Sequence, residues 1–104
     1  MAQQKPEEAG RDEVILVLEE LRECIPSSED VERRMEQREL SRAIAQFLAG
    51  LAETERNVFV CRYWYLADVK RISKAFGFTE SKVKSMLHRT RIRLKAYLTQ
   101  EGLL

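Results

Sequence analysis

The sequence is poor in the residues from which chemical sites are usually built. Its two cysteines, Cys24 and Cys61, stand 37 positions apart with no Cys-x-x-Cys spacing, and its single histidine, His88, has no second ligand near it. Neither a disulfide framework nor a metal site is expected; Cys61 reads as a small core residue and Cys24 as an incidental thiol. The four glycines form no phosphate-cradling loop, and no paired carboxylates or Ser/His/Asp set stands out. The chain is therefore not expected to be an enzyme or to hold a cofactor. No apolar run reaches the roughly 18 residues of a membrane span. The opening MAQQKPEEAG also lacks the basic-then-apolar order of a secretory signal. A cytoplasmic protein with no membrane partner is expected.

What is present is charge, and it is unevenly divided. The formal net charge is only +1, but residues 1–57 hold 8 Lys/Arg against 14 Asp/Glu, whereas residues 58–104 hold 10 against 3. An anionic partner is thus expected for the C-terminal half alone. With 104 residues the chain has room for one domain and its core, and not for a second of any size.

Pro6 and Gly10 bracket a polar start expected to be mobile. In EVILVLEELRECI, residues 13–25, Val14, Leu18, Leu21 and Ile25 recur at helical spacing, although the unbroken run 14–18 also suits a buried extended segment. A helix is the favoured reading. Ordering it costs about 1 to 2 kcal/mol per residue in backbone entropy, so it needs a surface to dock on. After Pro26, Ser27 or Ser28 can cap a helix whose first turn carries Glu29, Asp30 and Glu32. Its apolar stripe runs through Val31, Met35, Ile44, Phe47, Leu48 and Leu51. A second helix begins at Glu53 with Val58, Phe59, Tyr63 and Trp64 as bulk, and Asp68 caps a third, short one, VKRISKAF, that Gly77 stops. The last helix runs from Thr79 to about Leu98, some 28 Å. Val83, Leu87, Thr90, Leu94 and Tyr97 line its inner face, and Ser81, Lys84, Ser85, His88 and Lys95 its outer one.

A short helix, a glycine turn and a longer helix make a helix-turn-helix. Ser73 is small where the two helices cross, Gly77 can take the left-handed conformation, and Ile72, Val83 and Met86 hold the pair together. In such a unit the second helix enters the DNA major groove with its first turns against base edges. Lys84 can donate to guanine, Glu80 can accept from cytosine, and Ser81 and Ser85 can do either. His88 reads either as a surface residue or as a DNA contact. Basic residues around them would ride on phosphates. The same face could instead be merely solvated, or the unit could bind protein. Tyr63, Trp64 and Tyr65 read as packing residues rather than a base-stacking platform.

Three motifs sharpen this reading: Leu51-x-x-x-x-Arg56-x-Val58-Phe59 followed by Arg62-Tyr63, then Ile72-x-x-x-Phe76-Gly77, then Val83-Lys84-Ser85-x-Leu87-x-Arg89. Over roughly residues 28–100 the chain resembles region 4 of sigma-70 family RNA polymerase sigma factors, especially the extracytoplasmic-function-like kind. The resemblance implies an all-α, four-helix domain ending in a helix-turn-helix, of the winged-helix-like or sigma region 4 type. That domain would span 28–104, preceded by a tail and inter-region linker at 1–27. It further implies a transcription initiation factor domain that binds the promoter minus-35 element and docks on the beta flap of RNA polymerase core, with an anti-sigma factor as a further partner. Base reading would fall to Glu80, Ser81, Lys84, Ser85 and His88, and the DNA backbone to Arg62, Thr79, Lys82, Arg89, Arg91 and Arg93. Asp68 stands where the family often has a neutral residue near a phosphate, which puts that contact in doubt. The family's region 2, which melts the minus-10 element, has no counterpart here. Either a fragment of a longer sigma factor or a free-standing regulator would account for that, and the chain is not expected to open a promoter alone. Two alternatives stay open beside this reading: a protein-interaction module and a dimeric helix-turn-helix regulator joined through residues 14–25.

Overall fold

The computed structural model describes residues 6–25 and 34–103, with the side chains of 12–25 and 38–103. Among the described residues five helices follow one another: α1 (Pro6–Arg22), α2 (Arg34–Ala49), α3 (Glu53–Tyr63), α4 (Val69–Phe76) and α5 (Glu80–Gln100). No strand occurs among the described residues, and the fold is all-α as expected. Pro26, the caps Ser27 and Ser28, the acidic Glu29, Asp30 and Glu32, and Val31 lie outside the described residues, as does the side chain of Met35.

The longest helix, α5, packs against α2, α3 and α4. Its Val83, Leu87, Leu94 and Leu98 are buried, together with Ile72 of α4, Val58 and Phe59 of α3, Ala43 and Phe47 of α2, and Leu51. Side chains of this size each gain about 1.5 to 3 kcal/mol on burial, which makes this cluster the main source of stability. Phe47 meets Tyr97 at 5.6 Å between ring centres, and Phe59 meets Tyr63 at 4.6 Å. Thr90, also buried, donates its hydroxyl to the Met86 carbonyl at 2.9 Å and so is itself satisfied within the core.

Local chemistry fixes where α4 ends and α5 begins. Asp68 accepts from the Arg71 N–H at 2.7 Å and opens α4. Gly77 ends it with φ at 73°, its N–H returning to the Ser73 carbonyl, to which the Phe78 N–H also donates at 2.9 Å. Thr79 then accepts from the Lys82 N–H at 3.0 Å and starts α5. Ser73 is buried and donates to the Lys70 carbonyl at 2.7 Å, so the small residue at the helix crossing is also satisfied.

Several expectations for individual residues are corrected. The polar start is helical from Pro6 onward, because proline at a first helical position needs no N–H partner. The inward face of α1 carries Val17 and Leu21 and continues to Cys24 beyond its end; Leu18 is 55% exposed. The two cysteines exchange roles: Cys24 is buried and Cys61 only partly so. Burial pushes the Cys24 thiol up to about 11. Trp64 and Tyr65 are 67% and 73% exposed rather than packed. They follow the end of α3, where the chain turns away through Leu66 at a φ of 60°, and so leave the helix face that Tyr63 still shares.

A Cβ at Gly77 would meet nothing within 4 Å, so its substitution tests backbone conformation alone. Gly77→Ala is expected to lower stability by about 1 to 2 kcal/mol, the cost of a left-handed non-glycine residue. The reading is a reduced urea midpoint with an unchanged denaturant slope.

Candidate nucleic-acid interface

Because the buried arc of α5 runs through Val83, Met86, Leu87, Thr90, Leu94 and Leu98, the rest of its circumference faces outward. Glu80, Ser81, Lys84, Ser85 and His88, the candidate base readers, are all exposed on the first three turns. Thr79, Lys82, Arg89 and Arg93 are exposed as well. Lys82, Arg89 and Arg93 recur along one edge of this face, and Lys84, His88 and Arg91 along the other. The Lys82 ammonium lies 4.2 Å from the centre of the Phe78 ring, which holds it near the start of α5. Arg93 reaches Glu55 of α3 at 3.3 Å in an exposed pair, a contact worth at most about 1 kcal/mol and easily exchanged for another anion.

Arg62 and Arg91 are placed differently from these residues. Arg62, only 3% exposed, lies under α1. Its Nε and Nη2 donate to the two carboxylate oxygens of Glu20 at 3.3 and 3.0 Å. Its Nη1 donates to Glu13 at 2.6 Å and to the Ala67 carbonyl at 2.9 Å. Arg91 donates to the Tyr63 hydroxyl at 2.7 Å, which in turn donates to Glu20 at 2.7 Å, and Arg91 itself stands 3.6 Å from the same carboxylate. The Arg91 Nε is buried without a partner among the described residues. Glu20 is therefore the hub of two arginines and a tyrosine.

The cluster sits at the back of a cleft of about 490 Å³ between α1 and the helix-turn-helix, in which Glu13, Leu16 and Glu20 face Val69, Lys84 and His88. The structure thus brings Lys84, His88, Arg62 and Arg91 around one opening. It leaves Lys82, Arg89 and Arg93 on the opposite edge of α5, away from α1. No group of three or more His, Cys, Asp or Glu able to hold a metal ion occurs among the described residues.

Glu13, Glu20 and Tyr63 have no place among the candidate residues read from sequence. The available signal was spacing: Glu13, Val17, Glu20 and Cys24 recur at steps of four, three and four, one face of a helix. That face mixes charge with apolar groups, so a search for the most hydrophobic stripe passes over it.

Titration follows from these contacts. Burial by itself would raise the Glu20 carboxyl, but hydrogen bonds from Arg62 and Tyr63 and the charges of Arg62 and Arg91 outweigh it, and the carboxyl lies below its ordinary 4.5. Burial would likewise lower the Arg62 guanidinium, yet the two glutamates hold it above its ordinary value, so it stays charged. The Tyr63 hydroxyl is raised, first by burial and then by its bond to Glu20, and remains a donor at neutral pH. A carboxyl lowered in the folded state contributes stability that is present above 4.5 and lost as pH falls through the folded value. Urea midpoints compared at neutral and strongly acid pH are therefore expected to differ less in Glu20→Gln than in the unaltered chain.

A helix-turn-helix with a polar second helix and a basic surround is the arrangement of a duplex-reading domain. A family model described as Sigma-70, region 4, matches residues 41–94, which takes in the end of the α2 stripe and all of the helix-turn-helix up to Leu94. Neither a curated protein nor a solved structure matches the chain. The matched segment is just over half of the 104 residues, and the chain belongs to the sigma-70 region 4 family, the DNA-binding, promoter-recognising part of RNA polymerase sigma factors.

Proposed function

We propose that the chain recognises the minus-35 element of promoters, as a sigma region 4 of the extracytoplasmic-function-like kind, with residues 28–104 as the DNA-binding unit and 1–27 as the linker ahead of it. The observation that carries this reading is the outer face of α5, where Glu80, Ser81, Lys84, Ser85 and His88 are all exposed behind a capped helix start. Base edges are told apart by their donors and acceptors, and this face offers an ammonium, two hydroxyls, an imidazole and a carboxylate over three turns. Thr79, Lys82, Arg89 and Arg93 would hold phosphates along one edge of this face, with Arg62 and Arg91 as further backbone contacts once their present carboxylate partners give way. A cytoplasmic location accords with this role.

Docking on the beta flap of RNA polymerase, or capture by an anti-sigma factor, is a second reading, favoured by a different observation. Ile15, Leu16 and Leu18 of α1 and Trp64 and Tyr65 after α3 are large, apolar and exposed. Binding of polymerase core that survives removal of charge at Lys82, Lys84 and Arg89, without duplex affinity at moderate salt, would favour a pure docking role.

The test of the first reading is selection from a random duplex pool at low salt, in which one asymmetric motif is expected to be enriched. Lys84→Ala should then weaken the selected site by roughly 5- to 150-fold while leaving random duplex nearly unaffected, as loss of a base contact worth about 1 to 3 kcal/mol requires. Arg89→Ala should weaken both alike and reduce the salt slope by about 1. Equal losses on selected and random DNA for both variants would remove Lys84 from base reading.

A further inference from the structure

We infer that α1 is an acidic strap that competes with duplex DNA for Arg62 and Arg91, so that the domain binds DNA fully only when α1 has left its docked position. The inference rests on the reading of α5 and its neighbours as the DNA-binding surface, and it adds a regulation of that same surface.

Three independent features support it. The first is chemical. Glu20 meets Arg62 through both of its oxygens, the two-point contact that an arginine also makes with a phosphate. Glu13 takes the remaining Nη1 position, so while α1 is docked Arg62 has almost no donor left for the DNA backbone. Arg91 is turned toward Tyr63 and Glu20, with its Nε buried and unpartnered, so its donors are only partly used. A phosphate could satisfy it better than the present arrangement does.

The second feature is steric. Glu13, Leu16 and Glu20 form one wall of the cleft whose other wall includes Lys84 and His88. The cleft of about 490 Å³ is of small-molecule size. A duplex laid against Lys84 and His88 is far larger, with a major groove alone about 12 Å wide. A duplex seated deeply along this edge of α5 would meet α1, whereas the edge with Lys82, Arg89 and Arg93 does not line this cleft.

The third feature is how lightly α1 is anchored. Its apolar seat is Val17 and Leu21, with Cys24 just beyond the helix, while Ile15, Leu16 and Leu18 stay largely exposed. The principal helix contacts of the fold run among α2, α3, α4 and α5. Release of α1 therefore uncovers a few side chains and leaves the main core intact. Release exposes the carboxylates of Glu13 and Glu20 to water and leaves the guanidinium of Arg62 free to pair with a phosphate instead.

The experiment measures binding of the selected duplex by the full chain at one fixed salt concentration, using fluorescence anisotropy. Glu20→Gln is expected to tighten binding by at least about fivefold, the lower end of ordinary coupling between two sites. Glu19→Gln makes the same charge change at an exposed position of α1 and is expected to alter affinity by less than about twofold through screened long-range charge. Val17→Asp dislodges α1 by placing a carboxylate at its buried seat. It is expected to tighten binding although it adds a negative charge, the reverse of what charge alone predicts. A further measurement needs no variant: duplex should speed amide hydrogen exchange across residues 12–24 of the unaltered chain. Glu20→Gln and Val17→Asp binding no better than Glu19→Gln, with exchange in α1 unchanged or slowed by duplex, would overturn the strap and leave the glutamates as structural partners of Arg62. The reading of the DNA surface would survive that result. Absence of binding to any duplex by the unaltered chain and by every variant would overturn both.

Discussion

A guanidinium removed from water must be given partners, and the placement of Arg62 imposes that requirement on the parts of the molecule around it. An unpaired buried charge costs several kcal/mol even after relaxation. Arg62 avoids that cost through Glu13, Glu20 and the Ala67 carbonyl. The carboxylates set which face of α1 turns inward. The carbonyl ties down the turn between α3 and α4, where Leu66 holds a left-handed conformation and the Ala67 N–H returns to Cys61 at 3.0 Å. Tyr63 and Arg91 join the same network through Glu20, so α1, α3 and α5 meet at one polar centre beside the apolar core rather than within it.

The last helix serves two environments at once, and the division is set by its caps as much as by its periodicity. Thr79 fixes where α5 begins, which fixes the rotation at which Val83, Leu87 and Leu94 enter the core. Once those are buried, the polar residues between them have no choice of face. The two edges of that face then part company through tertiary contact. One looks into the cleft beneath α1, and the other, with Lys82, Arg89 and Arg93, looks away from it. A polar face and a basic edge are thus carried by a single element, the composition expected of a helix that lies in a major groove.

Much of this was legible in the residues because it depends on near neighbours. Asp68 and Thr79 cap three residues ahead, and Gly77 closes a bond to Ser73 four residues back. The apolar steps of three and four that mark α5 reappear as its buried side chains, with Tyr97 only partly covered and Met86 and Leu98 added. The exposed placement of Glu80, Ser81, Lys84, Ser85 and His88 followed from the same spacing. The motifs around Arg56, Gly77 and Val83 sufficed to identify the family. Less legible were positions where a helix ends or where a charged residue is drawn inward. Trp64 and Tyr65 lie outside because α3 stops at Tyr63. Cys24 is buried because it continues the Val17 and Leu21 face, a face that hydropathy alone ranks below its neighbour.

The sequence by itself determined the helical class, the helix-turn-helix with its caps and glycine, and the polar composition of the outer face of α5. Each rests on interactions between residues a few positions apart, which local stereochemistry and side-chain periodicity specify directly. Only the tertiary structure decided which face of α1 docks and which carboxylates meet Arg62. It also decided which basic residues stay open to a phosphate. Those contacts join residues 42 and 49 positions apart, and the energy of a buried ion pair exists only once the fold has excluded water from it.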